Sequence, residues 1–168
     1  LIGGENNGWR LITGQLNHER ISLMTVGHAR RNLADVTNWA SETKVDGARV
    51  IDKGWVQQNL ARVFAKLEEL RVMNWKEAWA AEAGQPQMAD SSAIKVFGSE
   101  GHIENYRALL EVLGAAGALA SGSPGALLQR KIESSYRNGL ILTFGGGTNE
   151  VQRDIIAMAG LGLPRARR

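Results

Sequence analysis

From Val56 to Leu70 the apolar residues Val56, Leu60, Val63, Phe64, Leu67 and Leu70 fall three and four apart. That repeat gathers onto one face only in an α-helix, so it constrains the fold more than any other feature of the chain. Glycine and proline mark where the repeat stops. After a Gly/Asn-rich opening, the spacing predicts a first helix over residues 11–43, with Ile12, Leu16, Leu23 and Val26 on one stripe. Ile21 and Met24 point elsewhere, as expected of a central rather than a surface helix. "KVDGARV" breaks the pattern, and a second helix is expected over 54–82. "AGQPQ" makes a turn into a third helix over 88–119, and "SGSPG" separates it from a shorter fourth ending near 138. A last helix follows "GGGT". Gly98, Gly101, Gly114 and Gly117 each cost the third helix about 1 kcal/mol against alanine, so they mark close packing or a ligand near the backbone. No β-pattern stands out. The class expected is all-α, an antiparallel up-and-down four-helix bundle with a short extra C-terminal helix.

The 168 residues suffice for one core, and 43% hydrophobic with 22% charged residues is the balance of a soluble globular chain. Arg165, Arg167 and Arg168 alone match the net charge of +3, so basicity is no argument for nucleic acid. Five tryptophans (Trp9, Trp39, Trp55, Trp75, Trp79) lack basic interleaving and read as core or interface residues rather than base-stacking platforms. With no cysteine, disulfides and thiolate chemistry are excluded. No leader and no apolar run of roughly 18 residues is found, so a cytoplasmic location without membrane association is expected. The chain opens without an initiator Met on "LIGGENNGW", and reads as the middle of something longer.

Two places could carry chemistry. Glu19 falls between Leu16 and Leu23 on the apolar stripe of the first helix, at about 100° per residue. A carboxylate there would be desolvated and its pKa raised toward a value useful for proton transfer. A buried structural pair with Arg20 or Arg30 is the plainer alternative, and from the residues alone the stronger one. "GGGTN" at 145–149 lacks the lysine of a phosphate loop but precedes a helix. Asn149 and Gln152 resemble a capping arrangement, and the free N–H groups of such a terminus can also hold an anion. Spacing alone favours a structural turn. His18, His28 and His102 show no metal-ligand spacing, and no metal site is expected.

Three segments, "LIGGENNGWRLITGQLNHERISL", "SSAIKVFGSE" and "FGGGTNEVQRDIIAMAGLGLPR", resemble the C-terminal helical domain of the acyl-CoA dehydrogenases. The resemblance covers essentially the whole chain. It implies residues 1–10 as the exit from a middle β domain and 11–168 as the bundle. It also implies FAD as cofactor, an acyl-CoA thioester as substrate and an electron-transfer flavoprotein as oxidant of the reduced flavin. In the family a glutamate takes the α-proton while the β-hydrogen leaves as hydride to flavin N5. Most members carry that glutamate just before the Gly-Thr of the last helix; a minority carry it on the first bundle helix, immediately before an arginine. Gly146 stands at the late position and Glu19-Arg20 at the early one, so the resemblance makes Glu19 the catalytic base. It places Asn17, His18, Arg20, Gly145, Gly146 and Gly147 against CoA or substrate, and Thr148, Asn149 and Glu150 against the flavin cofactor. Gly145 replaces a tyrosine common in the fatty-acyl enzymes, which implies room for a bulky substrate such as a steroid side-chain thioester.

Two departures are informative. The family's Arg-x-x-Phe-Gly is here Thr43, Lys44, Val45, Asp46 and Gly47, and its Gln-x-x-Gly-Gly is Glu111, Val112, Leu113, Gly114 and Ala115. Both family motifs reach the FAD of a neighbouring subunit, and a carboxylate beside a diphosphate is unfavourable. The pattern resembles the α2β2 acyl-CoA dehydrogenases of sterol degradation, where unlike subunits share one FAD; a homotetramer is the other arrangement. A non-catalytic partner subunit, and a helical interaction module without chemistry, are the competing readings.

Overall fold

The computed structural model describes residues 1–165, except for the side chains of Asn17 and His18. Arg167 and Arg168, used above in the charge argument, lie outside the described residues. The chain forms helices α1 (Gly8–Leu23), α2 (Gly27–Glu42), α3 (Gly54–Glu82), α4 (Met88–Leu113), α5 (Lys131–Gly139) and α6 (Asn149–Ile155). Residues 1–25, 70–98 and 142–165 belong to one compact unit, and residues 26–69 and 99–141 to a second; α3 and α4 contribute to both.

The second unit holds the apolar core. Val36 and Ala40 of α2, Val56, Leu60, Val63 and Leu67 of α3, Leu109, Val112 and Leu113 of α4 and Ile132 of α5 are buried together. On α3 the buried positions are four, three and four apart, so the seam is narrow, and Phe64, expected on it, is 54% exposed. The "KVDGARV" break is a two-strand hairpin, β1 (Lys44–Val45) paired antiparallel with β2 (Ala48–Arg49). Its turn residues Asp46 and Gly47 have φ of 55° and 82°, as an Asp-Gly turn of this kind requires. The absence of β-structure expected above is therefore corrected here. Helix α4 ends at Leu113 rather than near 119, because Gly114 turns left-handed at φ 64° and 3₁₀ geometry continues to Ala118.

In the first unit the long helix expected over 11–43 stops at Leu23. Met24 leaves helical geometry with ψ 41°, and its freed carbonyl accepts from Asn74 Nδ2 at 2.9 Å. Met24 is fully buried, and a Cβ on Gly98 of α4 would lie 2.9 Å from three Met24 side-chain atoms. Gly98 thus admits Met24. Beyond Met24, Leu70 and Ile94, much of what this unit buries is polar: Arg20, Glu77, Ser91, Ser92, Lys95, Asn149 and Gln152.

Candidate functional site

Helix α1 buries Arg20 and, at its end, Met24, which lie four apart and share a face. The Ile12–Leu16–Leu23 stripe lies on a different side, and Ile12 and Leu23 are 43% and 39% exposed. Glu19 sits with it and is exposed. The burial expected of Glu19 is therefore not supplied by the described residues: the stripe is partly covered at Leu16, and Glu19 itself stays exposed. Arg20 is 7% exposed and donates Nε–H to the Gly146 carbonyl oxygen at 3.3 Å. Burial lowers its pKa, and the nearby Glu19 charge opposes that shift; the guanidinium keeps its charge.

The segment 143–149 is held from both sides. Gly146 and Gly147 have φ of 72° and 98°, conformations that glycine adopts without steric cost. A Cβ at 147 would lie 2.6 Å from Gln152 Nε2, whereas one at 146 would meet only Arg20 Cγ at 4.0 Å. Space thus exists for a side chain at 146 and not at 147. Thr148 caps α6, its Oγ1 accepting from Val151 N at 3.3 Å. The cap expected at Asn149 is one residue earlier. Asn149 turns inward instead, 4% exposed, and its Oδ1 accepts from Lys95 Nζ at 2.6 Å. Lys95 is fully buried and also donates to the Thr143 carbonyl at 3.1 Å. Glu150 remains exposed; its own backbone N–H, then the Thr148 hydroxyl, lower its pKa.

These elements border a cavity of ≈ 640 Å³. Trp9 and Leu16 of α1, Met88, Val151 and Ile155 give it apolar walls; Arg20, Gly146, Gly147 and Gln152 give it a polar end. Gln152 is fully buried, and among the described residues neither amide atom has a hydrogen-bond partner. Of the residues singled out from the sequence, Arg20, Gly146 and Gly147 line this cavity. Glu19 is adjacent in sequence to Arg20 without lining it, and Gly145, Thr148, Asn149 and Glu150 likewise lie outside its lining. The side chains of Asn17 and His18 lie outside the described residues. Lys95 and Gln152 escaped the sequence reading. Lys95 left a trace, a lysine within the small and apolar run Ser-Ser-Ala-Ile-Lys-Val, whereas Gln152 read simply as a capping residue. Among the described residues no group of three or more His, Cys, Asp or Glu could hold a metal ion, and no helix is long and apolar enough to cross a membrane.

In the second unit, Glu111 accepts from Asn59 Nδ2 at 3.0 Å, and residues 43–47 lead into and form the hairpin. His28 is exposed with Nε2 3.1 Å from Ser135 Oγ, and His102 is buried and stacked on Tyr106.

Residues 6–161 match the family described as acyl-CoA dehydrogenase, C-terminal domain. The acyl-CoA dehydrogenase FadE26 of Mycobacterium tuberculosis is 54% identical over 172 aligned positions, covering 99% of this chain and 43% of that protein. Among solved structures, the ChsE4–ChsE5 complex of Mycobacterium tuberculosis contains a chain 55% identical, with a TM-score of 0.87 over 98% of this chain and 43% of that one. The Tcur3481–Tcur3483 steroid ACAD is 47% identical, with a TM-score of 0.88 over 98% of this chain and 42% of that one. The chain thus spans well under half the length of these relatives.

Proposed function

Because the chain belongs to the acyl-CoA dehydrogenase family, whose C-terminal all-α helical bundle it forms, we propose that it is the bundle of a catalytic subunit that desaturates a bulky steroid side-chain acyl-CoA, with Glu19 as base. The observation that carries this reading is the Arg20 Nε–Gly146 O hydrogen bond of 3.3 Å. It joins the two segments that the family uses alternately for its glutamate. The turn of α1 that carries Glu19 is thereby tethered to the segment that carries position 146.

The residues present fit both ligands. A glycine pair with positive φ leaves no side chain between the backbone and a planar or thioester group, and the buried Gln152 amide, without a hydrogen-bond partner among the described residues, marks a polar contact still to be made. Apolar walls of Trp9, Leu16 and Met88 suit a large hydrocarbon. FAD, when bound, supplies the acceptor for the β-hydrogen and its electron pair. The Glu19 carboxylate takes the α-proton, and a bound thioester covering the stripe around it removes water from that transfer. Arg20 fixes the loop whose Gly147 lies against CoA, with Gly145 beside it. The exposed Thr148 and Glu150 face the flavin cofactor. An electron-transfer flavoprotein reoxidises it.

The same reading makes the partner a homologous subunit in an α2β2 assembly. The two solved relatives named above are paired proteins by name, and Glu111, tied to Asn59, offers charge of the wrong sign to a second diphosphate. Exposure of Glu19 is the one observation that favours the alternative, a non-catalytic partner subunit. The deciding experiment uses the full-length chain purified with its partner and measures anaerobic flavin reduction by steroid side-chain and butyryl thioesters. Glu19→Gln is expected to slow reduction by about 10²–10⁴-fold with binding retained. An undiminished rate makes Glu19 structural, and rapid turnover of butyryl-CoA removes the steroid assignment.

A further inference from the structure

The loop 144–148 has little of its own to keep it in one shape. Three of its five residues are glycines, which lose more conformational freedom on ordering than any other residue and offer no side chain to pack. Yet its two ends meet at a single buried atom. Lys95 Nζ donates to the carbonyl oxygen of Thr143, just before the loop, at 3.1 Å, and to Oδ1 of Asn149, just after it, at 2.6 Å. Lys95 is fully buried on α4, and Asn149 is 4% exposed. Burying an ammonium group is costly unless it is hydrogen-bonded, and a methionine of similar length would fill the same volume without that cost. What the lysine adds is a charged donor with several N–H bonds, able to grip two acceptors at once.

We propose that Lys95 and Asn149 form a clamp that positions loop 144–148, so that Gly146 presents its carbonyl to Arg20 and Gly147 stays open to the thioester. Lys95 is a positioning residue and does not touch substrate. Asn149 holds the loop through its Oδ1 while Thr148 and Glu150, on either side of it, remain exposed for contact. The catalytic consequence rests on the acyl-CoA dehydrogenase reading above; the restraint of the loop does not.

The test uses the full-length chain with its partner subunit and two readouts. Hydrogen–deuterium exchange of residues 144–148 in Lys95→Met is expected to accelerate at least about ten-fold, with α2 and the first half of α3 unchanged. Anaerobic flavin reduction at saturating acyl-CoA is expected to fall at least about ten-fold, with less than about a three-fold change in the half-saturating concentration. In the exchange readout Asn149→Ala should reproduce the acceleration, Asn149→Asp should keep exchange near the wild-type rate by retaining an acceptor for Lys95, and the double variant should exchange little faster than either single one. Unchanged exchange at 144–148 in Lys95→Met overturns the clamp. If that variant does not assemble, Asn149→Ala is read by the same criterion. If none of the acyl-CoA thioesters tested reduces the flavin of the wild-type complex, the functional reading fails while the exchange result still decides the clamp.

Discussion

A single methyl group at Gly98 sets two effects of opposite sign against each other. Alanine is favoured over glycine inside a helix by about 1 kcal/mol, so helix propensity alone makes Gly98→Ala stabilising. Space argues the other way. The added Cβ would lie 2.9 Å from Met24 Cβ, Cγ and Sδ, and Met24 is fully buried with no free direction to move. Because Met24 Cβ is itself in the way, a change of rotamer cannot relieve the contact, and the end of α1 must shift. Overpacking of this kind costs about 1–3 kcal/mol and occasionally more. Netted against propensity, the expected loss is up to about 2 kcal/mol, or a Tm lower by up to roughly 8 °C for a chain of this size. Gly101 provides the control within the same helix. A Cβ there meets nothing within 4 Å, so Gly101→Ala should gain up to about 1 kcal/mol and raise Tm by a few degrees. Thermal and urea unfolding followed by circular dichroism at 222 nm measure both. A Gly98→Ala variant stabilised as much as Gly101→Ala would refute the steric argument. The shift should also reach the site, because Met24 anchors the end of the helix that carries Glu19 and Arg20.

Gly147→Ala carries both a φ of 98° and a contact of 2.6 Å with Gln152 Nε2; it should cost about 2–4 kcal/mol, of which Gln152→Ala in the same chain recovers only the contact part, as a double-mutant cycle in urea would report. Gly146→Glu in a Glu19→Gln background should restore part of the lost flavin reduction, since a side chain at 146 has room beside Arg20, although its φ of 72° costs about 1–2 kcal/mol of stability; no recovery in stopped-flow reduction by a folded variant would mean that the two positions are not equivalent. Glu133 is held below the usual carboxylate pKa, first by the hydrogen bond from Arg130 and then by the Arg130 and Arg137 charges. A depressed pKa contributes stability above the ordinary carboxylate range and loses it as pH falls through the lowered value, so Glu133→Gln should flatten the acid limb of a Tm-against-pH curve and leave the limb above neutrality unchanged.

The helical class was legible because apolar spacing reports which residues share a face. Val56, Leu60, Val63 and Leu67 were legible from spacing and are buried. Phe64, in the same register, is not, since spacing cannot give the width of the seam it must enter. Asp46-Gly47 carries a turn signal, but flanking strands of only two residues leave no alternation that would mark a hairpin. The end of α1 was not readable at all. The stripe continues from Leu23 to Val26 as if the helix did, and only Asn74 accepting the role of donor to the Met24 carbonyl lets it stop.

The site divides along the same line. The Glu19-Arg20 dipeptide, the vacant position at Gly146 and the family they indicate follow from residue identity and order, which sequence carries in full. A helical wheel also places Glu19 among apolar residues, but whether that face is covered depends on chain elements distant in sequence, and in this domain Glu19 stays exposed. Arg20 meeting Gly146 across 126 positions of chain, and Lys95 closing the loop 48 positions away, are likewise products of packing. Local pattern determines what each segment can become, because propensity and periodicity act over a few residues. Which polar groups end up buried together is decided only when the distant segments meet, because only there do desolvation and hydrogen bonding select among them.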